Sequence, residues 1–186
     1  MREIIIGFIG PKKIGKTTAA DYLVREMDFV KHSFKDALIH EMAERFPRFL
    51  KLLRESYQRE EGYFLSDMFK EKPPLVRLLM QEYGTDVRRA DDVDYWVKKW
   101  EESLPEISSK IVVDDVRFMN EAEKIRSLGG HLIRLEGDIP IAGDLESQHI
   151  SETEGFLIKE DFTIKTKEGE EELLFDELSK MKHKEK

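Results

Sequence analysis

Cysteine is absent from this 186-residue chain, which removes disulfides, cysteine-bearing zinc sites and thiol nucleophiles together. Long apolar runs are missing as well. No segment approaches the 18 or more continuous apolar residues of a membrane span, so no membrane partner is expected. The chain also lacks an excess of positive charge: 31 basic side chains stand against 39 acidic ones, a formal net charge of -8. That balance argues against coating a nucleic-acid polymer by bulk charge, but not against a local basic site for a small anion.

What is present is length and charge. A chain of this size buries roughly 70% of the surface its unfolded form exposes, enough for a core without metal or disulfide staples. Charged residues make up 38%, above the usual figure of about 25%; many are Lys and Glu, a hint of heat adaptation. Met1-Arg2-Glu3 runs straight into a strand-like segment, so no removable signal is read there and a cytoplasmic protein is expected. Neither charge nor length distinguishes a monomer from a homodimer.

The apolar run Glu3 to Ile9, closed by Gly10-Pro11, reads as a strand buried on both faces. From Thr17, the spacing of Ala19, Ala20, Leu23, Val24 and Met27 is helical. A short strand is expected over Phe29 to Phe34. Residues 37 to 103 carry apolar side chains at three- and four-residue intervals, predicting helices interrupted at Gly62 and Pro73-Pro74. Lys110 to Asp115 returns to a buried-strand pattern ending in acid. A helix over Glu121 to Leu128 is closed by Gly129-Gly130, followed by strands over His131 to Leu135 and Phe162 to Thr166. A helix over Glu170 to Met181 comes last. Residues 136–160 contain a glycine- and proline-bearing stretch expected to be a lid-like loop. The alternation predicts an α/β fold with three layers, helices flanking a parallel sheet.

Gly10-Pro11-Lys12-Lys13-Ile14-Gly15-Lys16-Thr17 fits G-x-x-x-x-G-K-[ST], with a strand before it and a helix after. The glycines let successive backbone N–H groups, with the helix N-terminus, face a phosphate chain. Gly10, Lys13, Ile14, Gly15, Lys16, Thr17 and Thr18 are therefore the candidate nucleotide-binding residues. Lys16 would reach the β- and γ-phosphates, and the Thr17 hydroxyl would ligate Mg²⁺. Asp115, at the end of an apolar run, is the candidate partner of Thr17 in holding Mg²⁺. A water-activating ATPase wants Glu right after this acid, whereas Val116-Arg117 follow; a GTPase wants N-K-x-D, which the chain lacks. Transfer of a phosphoryl group to a bound acceptor is the chemistry left.

Several segments resemble one known family. Asp115-Val116-Arg117-Phe118-Met119-Asn120-Glu121, followed by Gly129-Gly130, resembles the D-V-R-F-x-N-E segment of phage-type deoxynucleoside monophosphate kinases. Leu79 to Arg89 with Asp94-Tyr95-Trp96-Val97 is similar to that family's L-Q-x-x-G-T-x-x-x-R…D-x-W-V. Ser33-Phe34-Lys35-Asp36-Ala37-Leu38 looks like its S-F-A-D-P-L, and His149-Ile150-Ser151-Glu152 matches H-x-S-E. The segments keep the family's order over almost the whole chain. The resemblance implies a P-loop sheet of five parallel strands in the order 2-3-1-4-5, with 37–103 as an acceptor-binding insertion in a single domain spanning 1–186. It also implies transfer of the ATP γ-phosphoryl group to a (deoxy)nucleoside 5′-monophosphate, with small-molecule nucleotides as partners. Asp36, Gln81, Gly84, Thr85, Arg88, Arg89, Arg117 and Glu152 become candidate acceptor-binding residues, and Lys16, Asp36 and Arg117 the catalytic set. Arginine suits the acceptor phosphate because its fork matches phosphate oxygens. Arg88 and Arg89 would point about 100° apart on an α-helix, and Arg89 is preferred by its place in the pattern.

The same framework serves other small-molecule kinases, of the dephospho-coenzyme A or phosphomevalonate type, and an ATP-binding regulator that transfers nothing. Two departures bear on this choice. Ile14 fills a loop position that is often small, and the stretch from Glu136 to Gly155 carries no Arg or Lys.

Overall fold

The computed structural model describes residues 4–57, 65–105, 110–137, 154–166 and 171–181. Gly62, Glu152 and most of the lid-like loop lie outside the described residues. The chain divides into two compact units, one made of residues up to Phe34 together with Ser103 onward, the other Lys35–Glu102.

The first unit is built on five parallel strands: β1 (Ile4–Ile9), β2 (Phe29–Lys31), β3 (Lys110–Val113), β4 (His131–Glu136) and β5 (Phe162–Lys165). Their order is β2-β3-β1-β4-β5, the order expected. Register is fixed by pairs such as Ile5 with Ile111 and Gly7 with Leu132. β1 is central and buried throughout apart from Ile4, which is why it reads as a continuous apolar run instead of alternating.

Helices cover both faces. α1 (Lys16–Met27) packs Ala19, Ala20 and Leu23 into a cluster with Phe8, Val112, Ile133, Leu135 and Ile164. The C-terminal helix (Glu171–Met181) adds Leu174 and Leu178 to the same cluster. Its Phe175 stacks on Tyr22 of α1 at 4.3 Å between centroids, and the Tyr22 hydroxyl lies 2.7 Å from Ser179 Oγ. On the opposite face the helix Met119–Ser127 brings Ile125 so close to β1 that a Cβ at Gly7 would lie 2.8 Å from Ile125 Cδ1. Two of the boundaries that differ from expectation have a visible cause. β2 ends at Lys31, because Ser33 turns inward to an acid and Phe34 already starts a helix. The helix over Met119–Ser127 starts before Glu121, because that residue is its third, with a carboxylate that reaches back to the N–H groups ahead of the helix.

The second unit is helical: α2 (Phe34–Arg45), α3 (Pro47–Ser56), α4 (Leu65–Glu71), α5 (Pro74–Gln81) and α6 (Tyr95–Glu102). α3 and α5 carry proline in their first turn, where the missing N–H costs no hydrogen bond. Between α5 and α6 the helix widens into π-type turns over Glu82–Arg89. Met42, Leu50, Leu53, Met68, Phe69, Val76, Tyr83 and Trp96 form the unit's core. Continuing the labels, Met119–Ser127 is α7 and Glu171–Met181 is α8. Among the described residues, no helix is long and apolar enough to cross a membrane.

Candidate active site

The loop after β1 turns by residues with positive φ: Gly10 at 136°, Lys13 at 68° and Gly15 at 98°. Gly10 is further constrained, since a Cβ there would sit 2.5 Å from the Leu135 carbonyl oxygen. Ile14, at the position often small, is 4% exposed and belongs to the core cluster under the sheet. Its side chain pins the loop to the core, so only its backbone can serve a ligand. No side chain caps α1 at Gly15, and its first turn carries no acid, as suits a helix N-terminus that faces an anion. Lys16 Nζ arches over the loop and donates to the carbonyls of Gly10 at 2.6 Å and Pro11 at 2.7 Å.

Strand β3 delivers the acid. Successive residues at the end of a strand point in opposite directions, and this separates the two aspartates. The Thr17 hydroxyl donates to Asp114 Oδ2 at 2.9 Å, and Ser33 donates to Asp114 Oδ1 at 2.6 Å. Asp114 is buried, at 3% exposure. Asp115, the residue expected from sequence, instead accepts the N–H of Phe34 at 3.0 Å and so anchors the chain where α2 begins. The carboxylate that meets Thr17 is the one before it. Lys31, which the sequence did not single out, places Nζ 3.1 Å from the same Oδ2 and 3.0 Å from Asp21 Oδ1.

Arg117 lies in the turn between β3 and α7. Glu121, buried at the third position of α7, reaches back to accept the N–H of Arg117 at 2.8 Å and of Phe118 at 3.2 Å. This is the carboxylate half of a capping box, and it explains physically the Glu that closes the D-V-R-F-x-N-E segment. From the far side, Glu154 Oε1 accepts the Met119 N–H at 2.8 Å, and Gly155 packs against the Arg117 backbone. Arg134 is engaged elsewhere: its Nε donates to Glu160 at 2.8 Å and its Nη2 to the Ile158 carbonyl. That contact holds the Glu160 carboxyl below its ordinary value.

In the helical unit the candidate residues sort differently from expectation. Arg88 is built into a network: Nη2 donates to Glu41 Oε1 and Nε to the Tyr83 hydroxyl at 3.1 Å. Its guanidinium lies 5.3 Å from the Tyr83 ring centroid and 4.8 Å from that of Tyr95, close enough for cation–π attraction. Both tyrosine hydroxyls donate to Glu41 at 2.5 Å, and Arg45 Nε adds a contact at 3.0 Å. Burial pushes the Glu41 carboxyl up, but the hydrogen bonds from Tyr83, Tyr95 and Arg88 outweigh it and hold the group below its ordinary value. Arg89, preferred from sequence, is half-buried and donates to the Val93 carbonyl at 3.1 Å. Gly84 is buried beneath Leu38, and its carbonyl accepts the indole N–H of Trp96 at 2.7 Å; Trp96 is a core residue. Gln81 and Thr85 are half-buried on either side of that contact, and Asp36 is exposed in the first turn of α2.

The deoxynucleotide monophosphate kinase family model matches residues 56–177. A provisionally named deoxynucleotide monophosphate kinase of Acanthamoeba polyphaga mimivirus is 34% identical over 177 residues, covering 84% of each chain. The chain belongs to the deoxynucleotide monophosphate kinase family. It is a kinase, a phosphotransferase of nucleotide metabolism. Among solved structures, shikimate kinase from Aquifex aeolicus vf5 matches with a TM-score of 0.46 and 18% identity over 97% of both chains. Dephospho-CoA kinase from Campylobacter jejuni matches with 0.45 and 14%, over 97% of this chain and 96% of the other.

Proposed function

We propose that this family member transfers the γ-phosphoryl group of ATP to a (deoxy)nucleoside 5′-monophosphate, yielding ADP and the diphosphate. A phosphate oxygen of the acceptor forms the new O–P bond as the bond from the γ-phosphorus to the β,γ-bridging oxygen breaks, and the electron pair leaves with ADP. The observation that carries this reading is the Thr17–Asp114 hydrogen bond, which joins the glycine loop after β1 to the acid at the end of β3. These two strands are neighbours whose onward connections run to opposite sides of the sheet. Ligands of open α/β sheets bind in the crevice at such a point, outside the carboxyl ends of the strands.

The roles divide as follows. The N–H groups of Lys13 to Thr18, at the N-terminus of α1, bind the phosphates. Lys16 donates from Nζ once it exchanges the loop carbonyls for phosphate oxygens. Thr17 and Asp114 offer a hydroxyl and a carboxylate 2.9 Å apart, hard oxygen donors of the kind Mg²⁺ takes beside substrate phosphates. They fit that ion, and Asp115 is replaced by Asp114 in this role. Mg²⁺ would supply neutralising charge on the β- and γ-phosphates. Arg117, held by Glu121, supplies fixed positive charge to the transferred group. Asp36, Gln81, Gly84, Thr85, Arg88 and Arg89 are assigned to the acceptor, Arg88 now ahead of Arg89, with Glu152 added on sequence grounds. The site works on small nucleotides.

The test is ADP release against a panel of common ribo- and deoxyribonucleoside monophosphates, with dephospho-coenzyme A and phosphomevalonate alongside. Acceptor-dependent ADP is expected with one or more monophosphates, and Lys16→Ala should lower it by about a hundredfold or more. ADP that depends only on one of the other two acceptors would replace this reading, and tight ATP binding with no acceptor would favour a regulator.

A further inference from the structure

The contact between Lys31 and Asp114 has no part in the reaction as described. We propose that Lys31 is an internal counter-ion that occupies Asp114 before a divalent cation arrives and withdraws to Asp21 when one does, so that it sets the metal affinity of the site. The inference rests on the reading of Thr17 and Asp114 as the cation's protein ligands.

Register puts the lysine there. Lys31 pairs with Val112 across β2 and β3, and Asp114 lies two residues further on, just past the end of β3, within a lysine's reach. The Asp114 side chain is only 1% exposed, and a carboxylate so far from water is costly unless paired. Its Oδ1 takes the Ser33 hydroxyl, and its Oδ2 takes the Thr17 hydroxyl together with the Lys31 ammonium. The ammonium therefore holds the oxygen that a Thr17-bound cation would share. A divalent ion and an ammonium cannot share one carboxylate oxygen without strong repulsion. The alternative partner is already in contact: Asp21 Oδ1 is 3.0 Å from the same Nζ, on α1, with its side chain 60% exposed. Transfer of the lysine needs a small rotation and leaves it paired at the surface.

Two variants should move metal dependence in opposite directions. The full chain is saturated with β,γ-imido-ATP, and Mg²⁺ is titrated while the melting temperature is followed, so the readout needs no turnover. Lys31→Met keeps the apolar stem and removes the competitor; its Mg²⁺ half-point should fall by about five- to tenfold. Asp21→Asn weakens the lysine's retreat, and its half-point should rise. An ordinary structural ion pair would lower melting in one or both variants and leave both half-points where the wild type has them, which would overturn the proposal. If Lys31→Met does not fold, Asp21→Asn decides by the same criterion. A wild type that Mg²⁺ and the analogue do not stabilise at all would overturn the nucleotide site itself, and the lysine's role with it.

Discussion

At the scale of single residues, one place in the chain decides which acid meets the hydroxyl of Thr17. Asp114 and Asp115 are adjacent and equally plausible in a pattern, and the pleat sends them to different partners. Asp114→Asn should abolish most of the rise in melting temperature that Mg²⁺ and an ATP analogue produce. Asp115→Asn keeps an oxygen for the Phe34 N–H, so its stability should stay within about 1 kcal/mol of wild type and its response to nucleotide intact. A thermal-shift series on both variants checks the assignment, and the reverse result would restore Asp115. The glycine loop was legible from sequence because each of its residues has a backbone task that restricts the choice. The partner of Thr17 was not, since a strand's exact end fixes which side chain faces the loop. Lys31 carried no motif and became visible only through the β2–β3 register.

At the scale of elements, the π-type turns over Glu82–Arg89 changed the ranking of the two arginines. In an α-helix residues five apart stand about 140° apart around the axis. Turns with i→i+5 hydrogen bonds bring them onto one side, and Tyr83 and Arg88 then share Glu41. No periodicity rule applied to apolar residues would have shown this, because the residues concerned are polar and the widening is local. Glu41→Ala should destabilise the protein by about 2 kcal/mol, as it leaves Arg88 and two tyrosine hydroxyls without their shared acceptor. Glu41→Gln gives the pH dependence. Because the folded carboxyl titrates below its ordinary 4.5, its contribution is complete above that value and is lost as pH falls through the lowered one. The stability gap between wild type and Glu41→Gln, followed by urea unfolding from pH 7 to 3, should therefore narrow only at the acid end.

At the scale of the molecule, the parallel sense of the sheet followed from alternation and the loop motif, and the order of its five strands from the family resemblance, while most of the lid-like stretch lies outside the described residues. Within the described part, cationic duties are distributed by packing. Arg134 is tied to Glu160 and the Ile158 carbonyl, Arg126 lies 3.7 Å from Asp161, and Lys16 holds the loop carbonyls of Gly10 and Pro11. Ile14 links this arrangement to the core, since one side chain both packs with Leu135, Ile164 and Leu174 and belongs to the phosphate loop. Ile14→Ala should cost about 2–5 kcal/mol in stability and weaken nucleotide binding in parallel, measurable by unfolding and by titration calorimetry on one preparation. Ordering a backbone residue costs on the order of 1–2 kcal/mol in conformational entropy, and here that loss is incurred when the sheet forms. A nucleotide bound there would meet a loop already fixed, and its binding entropy should reflect the ligand and the water it releases, with little contribution from the chain.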